Sequence, residues 1–388
     1  MRFPEFTGEW EKCIIQDYGE VVTGNTPPTS NAEYYYNGSY LWASPADLGI
    51  NKNITDTKTK LSLSGFKKTR NVPKGSVLVT CIGSTIGKIG MATETMSSNQ
   101  QINSIVVNDK SNSDFVYYAI CRAFPRYLSE VGVQAVPILS KSNFEKLPNY
   151  TTRREEQDKI GYFLNLLDER IATQNKIIED LKKLRSAIVD NTFTNDAKSC
   201  RKQILLSDIS TKITRKNTDN RISNVLSNSA NQGVVPQREV FDREIANEDS
   251  TSNYFVISQN DFVYNPRKSV TAPYGPINKY NGELDGVISP LYLCFRTHNI
   301  DVDYLVWYFK SRSWYEYVYK NGDSGVRHDR VSIKDNVFFS MPLNIHSAQE
   351  QKEIAKHLNV IERFVRQEEQ YLSLIQSQKD YLLQHMFI

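Results

Sequence analysis

Hydrophobic and polar positions follow two textures along this chain, and the textures alternate twice. Up to about residue 150, short apolar runs are bounded by turn residues. Val77-Leu78-Val79-Thr80 and Ile102-Asn103-Ser104-Ile105-Val106-Val107, limited by Gly75 and by Asn108-Asp109, predict strands, and Asp114 to Tyr127 predicts a helix. From Thr152 to about Asn191 the only Gly is Gly161 and Pro is absent, while Glu, Lys, Gln and Leu abound. That composition predicts one long helix, with Thr152 and Glu155 as its capping box. The second half repeats the plan. Turn-broken strands, among them Asp261-Phe262-Val263-Tyr264 and Leu291-Tyr292-Leu293-Cys294-Phe295, precede a helix predicted from Asp303 to Tyr319. A Gly-free, Pro-free run then extends from Ser347 to the end.

The repeat has a fixed offset. Leu147-Pro148, Glu156-Gln157, Ile160, Leu164-Asn165 and Phe193 return 194 residues later as Met341-Pro342, Glu350-Gln351, Ile354, Leu358-Asn359 and Phe387. Only seven of the 47 aligned positions are identical, so the pattern has outlasted the residues. A repeat at half the chain length predicts two similar units related by an approximate two-fold axis, suited to a target that is itself bipartite. Duplex DNA with two half-sites is the leading candidate.

The two long helices share a phase. A four-three spacing runs through Ile160, Leu164, Leu167, Ile171, Gln174, Ile178, Leu181, Arg185 and Ile188. Its counterpart runs through Ile354, Leu358, Ile361, Val365, Glu368, Leu372, Ile375, Lys379 and Leu382. This is the stripe of a coiled-coil seam with polar breaks at matching steps; the alternative is a pair of amphipathic helices, each packed on its own domain. An antiparallel pairing with facing numbers summing to 553 sets Arg185 against Glu368 and Gln174 against Lys379. A parallel one brings Arg185 to Lys379, a like-charge contact. An overlap of about 29 residues spans roughly 43 Å, slightly more than one turn of B-DNA.

Composition narrows the class. The hydrophobic fraction of 39% and the aromatic fraction of 11% indicate a globular protein, and 22 Tyr with 17 Phe favour mixed sheet domains. A net charge of +3 says little about partners. The five cysteines are far apart, which argues against a zinc site and fits a reducing compartment. No apolar run approaches a membrane span, and Met-Arg-Phe-Pro-Glu lacks a signal-peptide layout, so a cytoplasmic protein with no membrane contact is expected.

Searches for catalytic motifs give little. Asn25-Thr26-Pro27-Pro28 and Asn265-Pro266-Arg267 are near misses to the loop with which adenine methyltransferases hold a flipped base. Gly83-Ser84-Thr85-Ile86-Gly87-Lys88 is one residue short of a phosphate loop and lacks the hydroxyl after the lysine. No metal site is expected. Basic clusters say more. Lys52, Lys58, Lys60, Lys67, Lys68, Arg70 and Lys74 meet only Asp56; Lys212, Arg215, Lys216 and Arg221 meet only Asp219. Such clusters offer phosphate affinity, though a single charge run is more often a solvated face. Base reading requires bidentate donors on loops held by a rigid sheet. The candidates are Ser84, Thr85, Lys88, Gln100 and Gln101 in the first half. In the second they are Asn265, Arg267 and Lys268, with Arg327, His328 and Arg330.

With its two Pro-x(7)-Glu-Gln helix starts (Pro148 to Glu156-Gln157, Pro342 to Glu350-Gln351), each opening a helix of about 40 residues, the whole chain resembles the specificity subunits of Type I restriction-modification systems. Trp10-Glu11-Lys12 with Ile15-Gln16-Asp17, echoed at Lys202 and Leu206-Ser207-Asp208, also fits that family, as do the Gly75–Gly87 and Val287–Tyr292 runs. One departure is Tyr150-Thr151-Thr152, where members often carry further Pro or Leu. The resemblance implies an α+β fold of two pseudo-repeated mixed α/β target recognition domains, 1–150 and 197–342. Two antiparallel coiled-coil helices, 151–196 and 343–388, join them with pseudo-two-fold symmetry. It implies a non-catalytic subunit that reads one half of a split double-stranded DNA site with each domain. It further implies docking of two modification subunits, which carry S-adenosylmethionine, and of restriction subunits, which carry ATP and Mg, with no cofactor bound by this chain. A coiled-coil scaffold joining two protein-binding domains and a self-sufficient DNA-modifying enzyme stand as alternatives.

Overall fold

The computed structural model describes residues 1–130, 137–194, 202–240, 251–323 and 329–387. They form two compact units, Met1–Lys176 with Glu369–Ile388, and Ile177–Glu368. Each unit therefore takes part of both long helices, Arg154–Thr194 and Ala348–Met386.

In the first unit, Glu11–Ile14 pairs antiparallel with Pro148–Thr151, the segment that leads into the long helix. A single helical turn, Ile15–Tyr18, follows; the Asp17 carboxylate accepts from the Ile14 backbone N–H at 2.8 Å. A five-stranded sheet then has the spatial order Gly19–Thr23, Ile102–Val107, Val77–Thr80, Ile89–Ala92, Asn53–Ile54. A second sheet has the order Thr59–Leu61, Tyr40–Ala43, Met96–Ser98, Asn71–Val72. The central strand shows why both faces are apolar. Val77 and Val79 point into a core with Phe115 and Tyr118 of the helix Ser113–Glu130, while Leu78 points the other way, to Leu41 and Met96 of the second sheet.

The second unit follows the same plan. Lys202–Leu205 pairs with Pro342–Ile345, and Asp208 accepts from Leu205 N–H at 2.9 Å within the turn Leu206–Ile209. One sheet runs Ser210–Lys212, Leu293–Thr297, Phe262–Tyr264, Ile277–Lys279; the other runs Gly233–Pro236, Val225–Ser229, Gly286–Ile288, Phe255–Ile257. Phe262 and Tyr264 face the helical core and Val263 faces the second sheet, the alternation seen at Val77–Val79.

Three local expectations change. The long helix begins at Arg154, and Thr152 does not cap it with Glu155: the Thr152 hydroxyl donates to Glu156. The capping box occurs instead in the second helix, where Glu350 accepts from Ser347 N–H at 3.0 Å. The predicted helix Asp303–Tyr319 is two helices, Val302–Lys310 and Tyr315–Asn321. Between them the buried Trp314 turns its indole N–H back to the Phe309 carbonyl at 3.0 Å, and the Ser311 hydroxyl takes the Tyr308 carbonyl. The strand expected from Leu291 starts at Leu293, because Tyr292 N–H closes a turn on Ser289.

The repeated Gln has a structural cause. Buried Gln157 donates to Thr152 O (2.8 Å) and accepts from Asn112 N–H (2.9 Å). Gln351 donates to His346 O (2.9 Å) and accepts from Asp301 N–H (3.1 Å). Each amide thus stitches the start of a long helix to the loop before the domain helix. The adjacent Glu156 is buried and held by both arms of Arg2 at 2.7 Å. Burial alone would raise its pKa, but the Arg2 guanidinium and the Thr152 hydroxyl outweigh that and hold it below the usual carboxylate value.

All eighteen seam positions are buried or half-buried. The register differs from the sequence expectation. Arg185 pairs with Glu362 in the second unit and Lys379 with Asp168 in the first, so the numbers of each ion pair sum to 547, where the expected pairs summed to 553. The carboxylates stand one residue beyond the seam positions Leu167 and Ile361, within reach of the long basic side chains. The two ion pairs are repeat equivalents, since 168 and 185 plus 194 give 362 and 379. The helices are antiparallel within each unit: Ile160, Leu164 and Leu167 share a core with Leu382 and Phe387, and Val189 and Phe193 share one with Ala355 and Leu358.

Candidate nucleic-acid interface

In the first unit three loops converge. Asn25 Nδ2 donates to Lys68 O (2.9 Å) and Asn25 Oδ1 accepts from Arg70 N–H (2.8 Å). The Arg70 guanidinium donates to Thr23 O at 2.9 Å, and the Thr26 hydroxyl donates to Gln100 Oε1 at 2.5 Å. Exposed Lys67, Lys68, Arg70 and Gln100 are thereby brought together. Gln101 turns inward, donating to Ile82 O at 3.3 Å and accepting from Asn99 Nδ2 at 3.1 Å, which ties this cluster to the loop bearing Ser84 and Thr85. Lys88 departs from the group; its stem lies over Gly49. The basic run also divides. Lys52 is buried, its ammonium bonded to Asp114 and to Asn165 Oδ1 (2.7 Å), and Lys60 pairs with Asp56 at 2.8 Å.

In the second unit, Asn265, Arg267, Lys268 and Arg330 line one cleft of about 330 Å³ with Ser227, Asn228 and Tyr292. Asn265 Oδ1 accepts from Arg267 N–H (3.0 Å), and its amide donates to Asn228 O (2.9 Å). Gly275, at φ +85°, permits the return of this loop: a Cβ there would lie 2.0 Å from Asn265 O. Arg215 and Lys216 are exposed but do not line the cleft. They flank the strand Phe255–Ile257, where Arg215 lies 3.8 Å from Asp285 and Lys216 3.3 Å from Asn253. Arg327 and His328 lie outside the described residues.

Sequence reasoning missed a clamp in each unit. Lys279 Nζ lies 2.7 Å from Asp303, which also accepts from Asn359 Nδ2 at 3.2 Å; Lys52, Asp114 and Asn165 are its counterpart in the first unit. Asn165 and Asn359 were visible as an identical repeat position, but the two lysines come from different segments and no spacing links them.

For covalent chemistry the arrangement offers little. Burial pushes the thiols of Cys81, Cys121 and Cys294 up to about 12, which leaves them protonated at neutral pH. Among the described residues no group of His, Cys, Asp and Glu could hold a metal, and no helix is long and apolar enough to cross a membrane.

Residues 7–183 match the Type I restriction modification DNA specificity domain. The chain is 28% identical over 246 residues to the Type I restriction enzyme MjaIX specificity subunit of Methanocaldococcus jannaschii, covering 60% of this chain and 55% of the relative. It is 29% identical over 185 residues to the HindI specificity subunit of Haemophilus influenzae, covering 45% and 39%. These alignments span about half, or less, of the relatives' length. In fold, the S subunit of a Type I restriction-modification system from M. genitalium superposes with a TM-score of 0.58 at 16% identity, over 98% of this chain and 96% of that one. The repeated α+β units with their paired long helices thus share the fold of that S subunit. Residues 7–183 are similar to the Type I restriction modification DNA specificity domain, and the chain as a whole is similar in fold to the S subunit of such a system.

Proposed function

We propose that this chain is the sequence-reading, non-catalytic subunit of a Type I restriction-modification complex. Residues 1–150 and 197–342 are then the target recognition domains, each reading one half of a split double-stranded DNA site. The helices 151–196 and 343–388 act as the spacer ruler. Two modification subunits supply S-adenosylmethionine chemistry on adenine, and restriction subunits supply ATP- and Mg-dependent cleavage; this chain binds none of these groups. The observation that carries the reading is the repetition of one plan: each unit presents cations and amides on hydrogen-bonded loops, Arg70 and Gln100 in one, Asn265 and Arg267 in the other. Phosphate contacts from such cations position a protein, and amide and guanidinium groups read base edges. The test is a long-read map of N6-methyladenine in cells carrying the chain with its modification subunit. A split motif with a fixed gap, lost when the chain is deleted, is expected; a methylation pattern indifferent to the chain refutes the proposal.

A further inference from the structure

Ile82 and Ile138 in the first unit form an isolated antiparallel bridge, and Arg267 and Arg330 form one in the second. The surrounding hydrogen bonds show that the two bridges are the same structural feature. Gly83 N–H donates to Pro137 O (3.0 Å) and Leu139 N–H to Cys81 O (2.8 Å); Lys268 N–H donates to Asp329 O (2.8 Å) and Val331 N–H to Pro266 O (2.9 Å). In both, the bridged residues are a non-hydrogen-bonded pair, the geometry that sets opposed side chains closest on one face. One unit therefore presents two isoleucines and the other two guanidinium groups at one backbone position.

Two cations directly opposite each other destabilise a strand pair. Their cost is not relieved locally. Among the described residues no carboxylate lines the cleft, none is within ion-pair distance of Arg267, and Arg330 has only Asp329 at 3.9 Å. The backbone under them is nonetheless fixed, by Asn265 on Arg267 N–H and by the bridge itself. Asn228, 2% exposed, supports the floor by donating to Val263 O at 2.7 Å. Two paired and held guanidinium groups with one carboxylate for the two, at 3.9 Å from Arg330, suit an acceptor-rich ligand. A phosphate clamp serves any sequence and is needed equally by both halves. An exchange of arginine for isoleucine at one backbone position is instead what a base-reading position shows, because arginine matches O6 and N7 of guanine while an aliphatic group matches the thymine methyl.

Resting on the split-site reading above, we propose that Arg267 and Arg330 are specificity-determining residues for guanine in the half-site of the second unit. The Ile82–Ile138 pair makes the first unit indifferent to guanine at the corresponding position.

The assembled complex is tested for binding to duplexes of its own methylated motif, altered one base pair at a time in the second half-site. One set replaces a guanine by 7-deazaguanine, which lacks the N7 acceptor. The wild type is expected to lose about 10- to 100-fold at one or two guanines, the range of a bidentate contact. Arg267→Lys and Arg330→Lys keep the charge but not the fork, so they should lose discrimination at those guanines alone. Arg267→Ile with Arg330→Ile should do the same while the first half-site is still required. A second half-site without guanine overturns the proposal. So does uniform weakening of all duplexes by the Ile variants with a shallower salt dependence, the mark of a phosphate contact. The absence of any split motif would refute the wider reading instead.

Discussion

Removing the Glu362 carboxylate should damage the second unit more than removing any one of its cations. Glu362 is half-buried and bonded to Arg185, with Arg366 at 3.7 Å and Lys310 at 4.0 Å. Lys310 also lies over the Trp307 ring, 4.3 Å from its centroid, and burial holds its pKa below the usual lysine value despite Glu362. Glu362→Gln leaves three cations around a neutral amide. Exposed pairs contribute about 0–1 kcal/mol, and breaking a buried pair costs about 3–5 kcal/mol. A carboxylate 20% exposed that serves three partners falls between, at about 2–3 kcal/mol. Arg185→Met leaves Glu362 two cations and should cost about 1 kcal/mol. Urea unfolding followed by tryptophan fluorescence reads the difference, since Trp307 and Trp314 both lie in this core. The pH dependence has a fixed sign. Burial raises the Glu362 pKa, but Lys310 and Arg185 outweigh it and leave it below the ordinary 4.5. Its stabilisation is therefore present above pH 4.5 and is lost as the pH falls through the lowered value. The gap between wild type and Glu362→Gln should close in acid. An Arg185→Met variant as damaged as Glu362→Gln, or a gap unchanged in acid, would refute the hub.

Replacing Gln351 by Leu should destabilise the second unit by about 2 kcal/mol, because the His346 carbonyl and the Asp301 N–H lose their partner; thermal unfolding against Gln349→Leu, whose amide bonds only Glu353 at the surface, provides the control. DNA affinity of the assembled complex should fall steeply with salt, with a log–log slope reduced by about 1 when Lys68 is replaced by Ala; an unchanged slope would remove Lys68 from the phosphate contacts. Deleting one heptad from the middle of both long helices shortens each by about 10.5 Å. The gap in the methylated motif should shrink by about three base pairs with both half-sites intact; altered half-sites would contradict the ruler.

The seven identical repeat positions show how far the fold was legible. Pro148 and Pro342 begin the strands that pair with each unit's first strand. Gln157 and Gln351 stitch the helix starts, Ile160, Leu164 and Leu358 are core, and Ile354 packs against it. Asn165 and Asn359 close the lysine clamps. Phe193 packs on Tyr304, and Phe387 on Trp10. Glu156 and Glu350 diverge, one clamped by Arg2 and the other capping its helix. Periodicity gave the seam because burial selects one helical face, but the register escaped it. The deciding carboxylates, Asp168 and Glu362, sit just off that face, where a stripe of apolar residues carries no information. The second sheet of each unit was equally hidden, since strands as short as Asn71–Val72 have no period to read. Arg267 and Arg330 were each legible as candidates; their pairing across 63 residues was not.

The most direct test of the account duplicates one recognition domain. Residues 202–341 are replaced by a copy of 11–147, the assembled complex is expressed, and N6-methyladenine is mapped by long-read sequencing. The repeat predicts a methylated site that is an inverted repeat of the first half-site with the original gap. A complex that assembles yet still methylates the original asymmetric site would contradict it.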